Sequence, residues 1–112
     1  CYSNTGTACS ATTPAVVASG ACTAAGAANI FGQSNIASQI AEATRVSGSF
    51  NACGATVGGG AWAAAVIQKG AVAATADSGW CVDSSGKSRS ITVATIDQLG
   101  ITAEIVAGAC VE

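Results

Sequence analysis

The chain has 112 residues; half are nominally hydrophobic, but only 4% are aromatic and 14 are glycine. Most of that hydrophobic half is alanine, so one domain at most is expected, with a core small for its length. Four basic side chains against six acidic ones, and no histidine at all, exclude a basic nucleic-acid face, a polybasic membrane tether, imidazole-based catalysis and imidazole zinc sites.

Residues 1–32 are Ala, Gly, Ser and Thr around Cys1, Cys9 and Cys22, with the only proline at Pro14. This reads as a loop-rich region with a short helix around 14–19 or 23–31. Residues 34–46 carry the clearest helical pattern: Ile36, Ala37, Ile40, Ala41 and Thr44 form one apolar stripe. Ser34 suits the start, Gly48 a left-handed stop, and Arg45 the cation-favouring last turn. The four glycines in 54–60 predict a loop. Over 61–69, Trp62, Ala64 and Val66 alternate with Ala63, Ala65 and Ile67, yet alanine favours helix, so composition leaves the choice open. Residues 70–78 read as a connector, and 79–83 and 87–93 as two strands of a hairpin around Ser84-Ser85-Gly86. Over 101–107, Ile101, Ala103 and Ile105 face one way and Thr102, Glu104 and Val106 the other, which predicts a half-buried strand. The fold class expected is α+β: one main helix packed on a small antiparallel sheet.

Six cysteines in a short chain with a thin core predict disulfides and an oxidising compartment. No Cys-x-x-Cys pair supports redox chemistry, a zinc ribbon or an iron–sulfur cluster. Sequence alone does not choose among the possible pairings. Neighbours in chain order, Cys1–Cys9, Cys22–Cys53 and Cys81–Cys110, would each bracket one structural unit. No stretch of the sequence is apolar for long enough to span a bilayer. Nor does the sequence open with a signal peptide, so a mature product or an excised fragment is expected.

Gly86-Lys87-Ser88 matches the end of a P-loop, but Cys81 stands where that motif needs its first glycine. A polar hairpin turn is the better reading. Gly58-Gly59-Gly60 lacks dinucleotide-binding spacing. The carboxylates Glu42, Asp77, Asp83, Asp97, Glu104 and Glu112 form no marked catalytic pair and no calcium loop. Asp83 is expected to cap its own turn. Trp62 and Trp80 read first as core plugs, and Trp80 beside Cys81 suggests a ring packed on a disulfide. As a contact surface, Trp62, Trp80, Lys87 and Arg89 are the candidates. Neither an enzyme nor a cofactor is expected.

Ala61-Trp62-Ala63-Ala64-Ala65-Val66-Ile67-Gln68-Lys69 and Gly79-Trp80-Cys81-Val82-Asp83-Ser84-Ser85-Gly86-Lys87-Ser88 together resemble the C-terminal half of type IV pilin-like proteins. The nearest kind is that of small-genome candidate-phylum bacteria. The resemblance spans roughly residues 20–110 and is specific over the two quoted segments. It implies a pilin headgroup in which 61–69 is a strand, Cys22 and Cys53 flank the helix, and Cys110 closes a loop to the Trp80-Cys81 strand. Pilins begin with a long hydrophobic helix, usually opening Phe-Thr-Leu-Ile-Glu, and this sequence carries none. Cys1 and Cys9 lie outside the pattern.

The function expected is that of a structural subunit, the headgroup of an extracellular pilus or pseudopilus. Its partners would be copies of itself or other pilins, and any membrane contact would run through the helix absent here. With 9% charged residues, much of the surface must be apolar or small-polar, as contact surfaces are. The alternative is a secreted disulfide-rich binding module, or a bacteriocin-like or inhibitor-like effector.

Overall fold

A computed structural model describes residues 17–22, 34–47, 50–56 and 60–111. In chain order they form β1 (Val17–Gly20), α1 (Ser34–Ser47), β2 (Asn51–Ala55), β3 (Trp62–Ile67), β4 (Gly79–Asp83), β5 (Ser88–Ile91), α2 (Gln98–Thr102), β6 (Ile105–Val106) and β7 (Ala109–Cys110). The first five strands make one antiparallel sheet in the order β1-β2-β3-β4-β5, and β6 and β7 pair as a small hairpin. The fold is α+β, with α1 as its main helix.

Side-chain alternation gives the sheet two different faces. On β3, Ala63, Ala65 and Ile67 are buried while Trp62, Ala64 and Val66 are half-buried. Register carries this pattern across the sheet, with Ala65 opposite Cys81 and Ala64 opposite Val82. The first face holds the main core of Ala52, Ala63, Ala65, Ile67, Cys81, Ile91, Val93, Ile101, Ile105 and Cys110. There α2 and the β6–β7 hairpin cover the sheet. The second face holds a smaller cluster of Cys22, Cys53 and Ala55, with Ile40 of α1, Trp62 and Ala64 packed against it. Alanine on β3 suits a strand covered on both faces, because it keeps each layer close.

The expected elements are corrected in five places. Residues 101–107 do not form one strand. Asp97 accepts the Gly100 amide at 2.7 Å and the Thr95 hydroxyl at 2.8 Å, capping α2. Ile101 and Ile105 are both buried, Ile101 within α2 and Ile105 at the start of β6. Two residues of the predicted loop over 54–60 are strand, because Gly54 and Ala55 complete β2 opposite Ala63 and Trp62, and 57–59 lie outside the described residues. Residues 17–19 of the suggested 14–19 helix lie in β1. On α1, Ala41 of the expected stripe faces solvent, and within 38–47 the half-buried positions are Ile40, Thr44 and Ser47; the side chains of Ile36 and Ala37 lie outside the described residues. The expected strand 87–93 is shorter, ending at Ile91. The suggested 23–31 helix, the stop at Gly48 and the remainder of the 1–32 region lie outside the described residues.

Two polar links join the layers. Asn51, buried at the start of β2, accepts the Cys22 amide at 2.9 Å and donates to the Thr44 hydroxyl of α1 at 2.8 Å. Its carbonyl accepts from the Gln98 side chain of α2 at 2.8 Å. Ser78, also buried, accepts the Val93 amide at 2.6 Å and so ties the 68–78 connector to the chain beyond β5.

Candidate functional site

The main candidate lies on the second sheet face. The main sheet contact of α1 is with β3, and an open groove lies between the helix and strands β3 and β4. It has a volume of about 190 Å³ and is lined by Cys22, Gln39, Ile40, Ala43, Ala64, Ala65, Val66, Trp80 and Val82. Its walls are almost entirely apolar, so it holds no set of groups for acid–base or nucleophilic chemistry. Trp80, on the outer wall, is 42% exposed. On the solvent side of α1, Arg45 pairs with Glu42 at 2.5 Å and 2.9 Å. That contact holds the Glu42 carboxyl below its ordinary range and the Arg45 guanidinium above it.

The four expected contact residues do not form one patch. Trp62 is half-buried and packs on the cluster containing the Cys22–Cys53 bridge. Trp80 shares that sheet face but points into the groove. The suggested stacking of Trp80 on its neighbouring cysteine is corrected by strand geometry: adjacent residues point to opposite faces, and Cys81 belongs to the main core. Lys87 and Arg89 belong with the other face. Arg89 is the cross-strand partner of Cys81, and the Lys87 ammonium donates to the Cys110 carbonyl at 3.2 Å.

The second notable group is the β4–β5 turn. Asp83 is 6% exposed. One carboxylate oxygen accepts the Ser85 amide at 2.9 Å, the Ser85 hydroxyl at 2.5 Å and the Lys87 amide at 3.3 Å. The other accepts the Cys110 amide at 2.9 Å. The Ser85 hydroxyl chiefly, and the three backbone amides with it, outweigh the cost of desolvation and hold its pKa near 2. Asp83 does cap its turn, as expected, but it also reaches the C-terminal strand, which the sequence did not signal. Gly86-Lys87-Ser88 is this hairpin turn running into β5. Asp97 is likewise held below its ordinary value, first by the Gly100 amide and then by the Thr95 hydroxyl. Among the described residues, no three His, Cys, Asp or Glu side chains gather where they could share a metal ion.

Two disulfides are present among the described residues. Cys22 is bonded to Cys53 and Cys81 to Cys110, with sequence separations of 31 and 29. The expected Cys1–Cys9 pair lies outside the described residues. No helix among them is long and apolar enough to cross a membrane. Comparison with protein-family models, with curated proteins and with solved structures gives no match.

Proposed function

We propose that this chain is the headgroup of an extracellular type IV pilus-like or pseudopilus filament, a non-catalytic structural subunit that packs against copies of itself or other pilins. The observation that carries this reading is the arrangement around the sheet. A helix lies across one face of an antiparallel meander, and a C-terminal hairpin is closed by Cys110 onto the strand holding Trp80 and Cys81. That is the arrangement the pilin resemblance implies. The disulfides require an oxidising environment, which agrees with an extracellular filament. The apolar groove and the low charge supply a surface suited to close contact with neighbours. Membrane attachment would come from an apolar helix encoded upstream.

Immunogold electron microscopy of producing cells tests the proposal, with an antibody raised against this chain. Labelled filaments, together with an upstream reading frame encoding a charged leader and an apolar helix, are the expected result. An unlabelled surface, with the chain recovered as a free monomer that binds one partner tightly, would overturn it in favour of a secreted binding module or inhibitor-like effector.

A further inference from the structure

The two disulfides share a feature that the sequence does not advertise. In each, the backbone amide of one cysteine donates to an Asx side chain two residues from the other cysteine. The Cys22 amide donates to Asn51 Oδ1 at 2.9 Å, and Asn51 stands two residues before Cys53. The Cys110 amide donates to Asp83 Oδ2 at 2.9 Å, and Asp83 stands two residues after Cys81. Residues two apart on a strand share a face, so each Asx acceptor sits beside its cysteine, on the side from which the partner arrives. Both amides are buried within the fold, where an unmet donor is costly.

We propose that Asn51 and Asp83 are positioning residues that select the disulfide partners during oxidative folding. Each captures the backbone of the incoming cysteine and brings the two thiols together before the bond forms. The hydrogen bond and the disulfide then restrain the same two backbone positions, so each raises the probability of the other. In chemical terms, two thiols lose two protons and two electrons to form one disulfide. A small-molecule disulfide, such as oxidised glutathione, accepts both and leaves as two thiols. The Asx residues take no part in that exchange; they set the effective concentration of one thiol at the other.

The two latches differ in strength. Asp83 is ionised and its bond to the Cys110 amide is charge-assisted, and the Lys87 ammonium holds the carbonyl of the same residue. Asn51 makes a neutral bond. In Asp83→Asn, an Asn oxygen placed to keep the turn amides would aim its NH2 at the Cys110 amide, donor against donor, so the turn and the latch could not both survive. In Asn51→Asp, an acceptor remains for the Cys22 amide but the donor to the Thr44 hydroxyl is lost, whereas Asn51→Ala removes both.

The test reduces and unfolds the full chain, refolds it in a buffer of reduced and oxidised glutathione, and quenches with alkylating agent. Peptide mapping then gives the effective concentration of each disulfide. Asp83→Asn should lower that of Cys81–Cys110 by about 10- to 100-fold, as expected for a hydrogen bond to a charged group. Cys22–Cys53 should change by less than about threefold in the same variant. Asn51→Ala should show the reverse pattern with a smaller loss, about 3- to 10-fold for a neutral bond, and Asn51→Asp, which keeps the acceptor for Cys22 but not the donor to Thr44, should recover part of Cys22–Cys53. Parallel losses of both disulfides in every variant would mean that these residues act only through general stability, and would overturn the proposal. So would a native distribution in Asp83→Asn, or an Asn51→Asp variant that forms Cys22–Cys53 no better than Asn51→Ala.

Discussion

The two faces of the sheet are covered differently, and the difference separates what keeps this fold together from what it has available for contact. On the α2 side, Ile67, Ile91, Val93, Ile101 and Ile105 interlock around Cys81–Cys110, and every one of these side chains is buried. On the α1 side, the helix contributes half-buried Ile40 and Thr44, while Ala41 and Val46 are exposed. Burial of large aliphatic side chains is the chief stabilising term, so stability should be concentrated on the α2 side. Among the described residues, the α1 side is held by one disulfide, by Asn51 and by modest apolar contact, and it keeps an open apolar groove. A chain with this few large hydrophobic residues can close one face well.

The sharpest test of that asymmetry is removal of each disulfide in turn. The loops they close are nearly equal, with separations of 31 and 29, so the chain-entropy model assigns each about 3–4 kcal/mol. Any difference therefore reports packing in the native state. Cys81→Ala with Cys110→Ala should be the more damaging pair, because it also opens a void in the main core, where Cys81 is 0% exposed. Urea unfolding of the two double variants measures this. Equal midpoints would show that the faces contribute alike.

A smaller effect should separate single aliphatic truncations. Ile101→Ala removes a fully buried side chain and should cost about 2–5 kcal/mol. Ile40→Ala removes a half-buried one and should cost about 1 kcal/mol. Thermal or urea denaturation of both variants against the parent gives the comparison directly.

Smaller again is the contribution of Asp83, which can be read from pH. Its pKa is depressed to about 2 from an ordinary value of 3.8. A depressed carboxylate stabilises the fold above its unfolded-state pKa, and that stabilisation fades as pH falls through the folded value. The parent should therefore lose about 1–2 kcal/mol between pH 4 and 2 through Asp83, discounting the full shift for its position at a surface turn. Asp83→Asn should be less stable than the parent at neutral pH and should show a flatter profile below pH 4. Asp97 and Glu42 shift in the same direction, so some slope should remain. An unchanged slope in Asp83→Asn would remove Asp83 from the account of the α2 side.

How much of this was legible depended on where the sequence carried large or special residues. The α1 helix showed through the spacing of Ile36 and Ile40, and the β4–β5 hairpin through Ser84-Ser85-Gly86 between strand-like runs. β2 was hidden, because Asn-Ala-Cys-Gly-Ala has no strand-forming side chain and ends beside a glycine-rich stretch. Its strand character comes from pairing with β1 and β3 on both sides. α2 was hidden by an ambiguity of period. A spacing of four between Ile101 and Ile105 fits both an alternating strand and one helical turn, and the Asp97 cap decides it. The groove was not legible at all. It depends on how far α1 reaches across the sheet, which no local pattern encodes. The Asx links to Cys22 and Cys110 span 29 and 27 positions and leave no local signal either.

The smallest effect on stability should come from Trp80, which the proposed function places at the contact surface. Trp80 is 42% exposed on the open side of the groove, away from the main core. Truncating it removes no buried polar partner and leaves no closed cavity, so Trp80→Ala should lower stability by about 1 kcal/mol or less. An interface is affected differently, because an exposed tryptophan at the lip of an apolar groove is the kind of side chain that dominates binding energy once a partner covers it. Under the proposed function, Trp80→Ala subunits should fold, form the Cys22–Cys53 and Cys81–Cys110 disulfides, and enter filaments poorly. Urea midpoint and filament yield from the same preparation measure the two effects together. A normal filament yield would move the contact surface off the α1 side. A large drop in the urea midpoint would mean that the α1 side stabilises the fold more than its half-open packing implies.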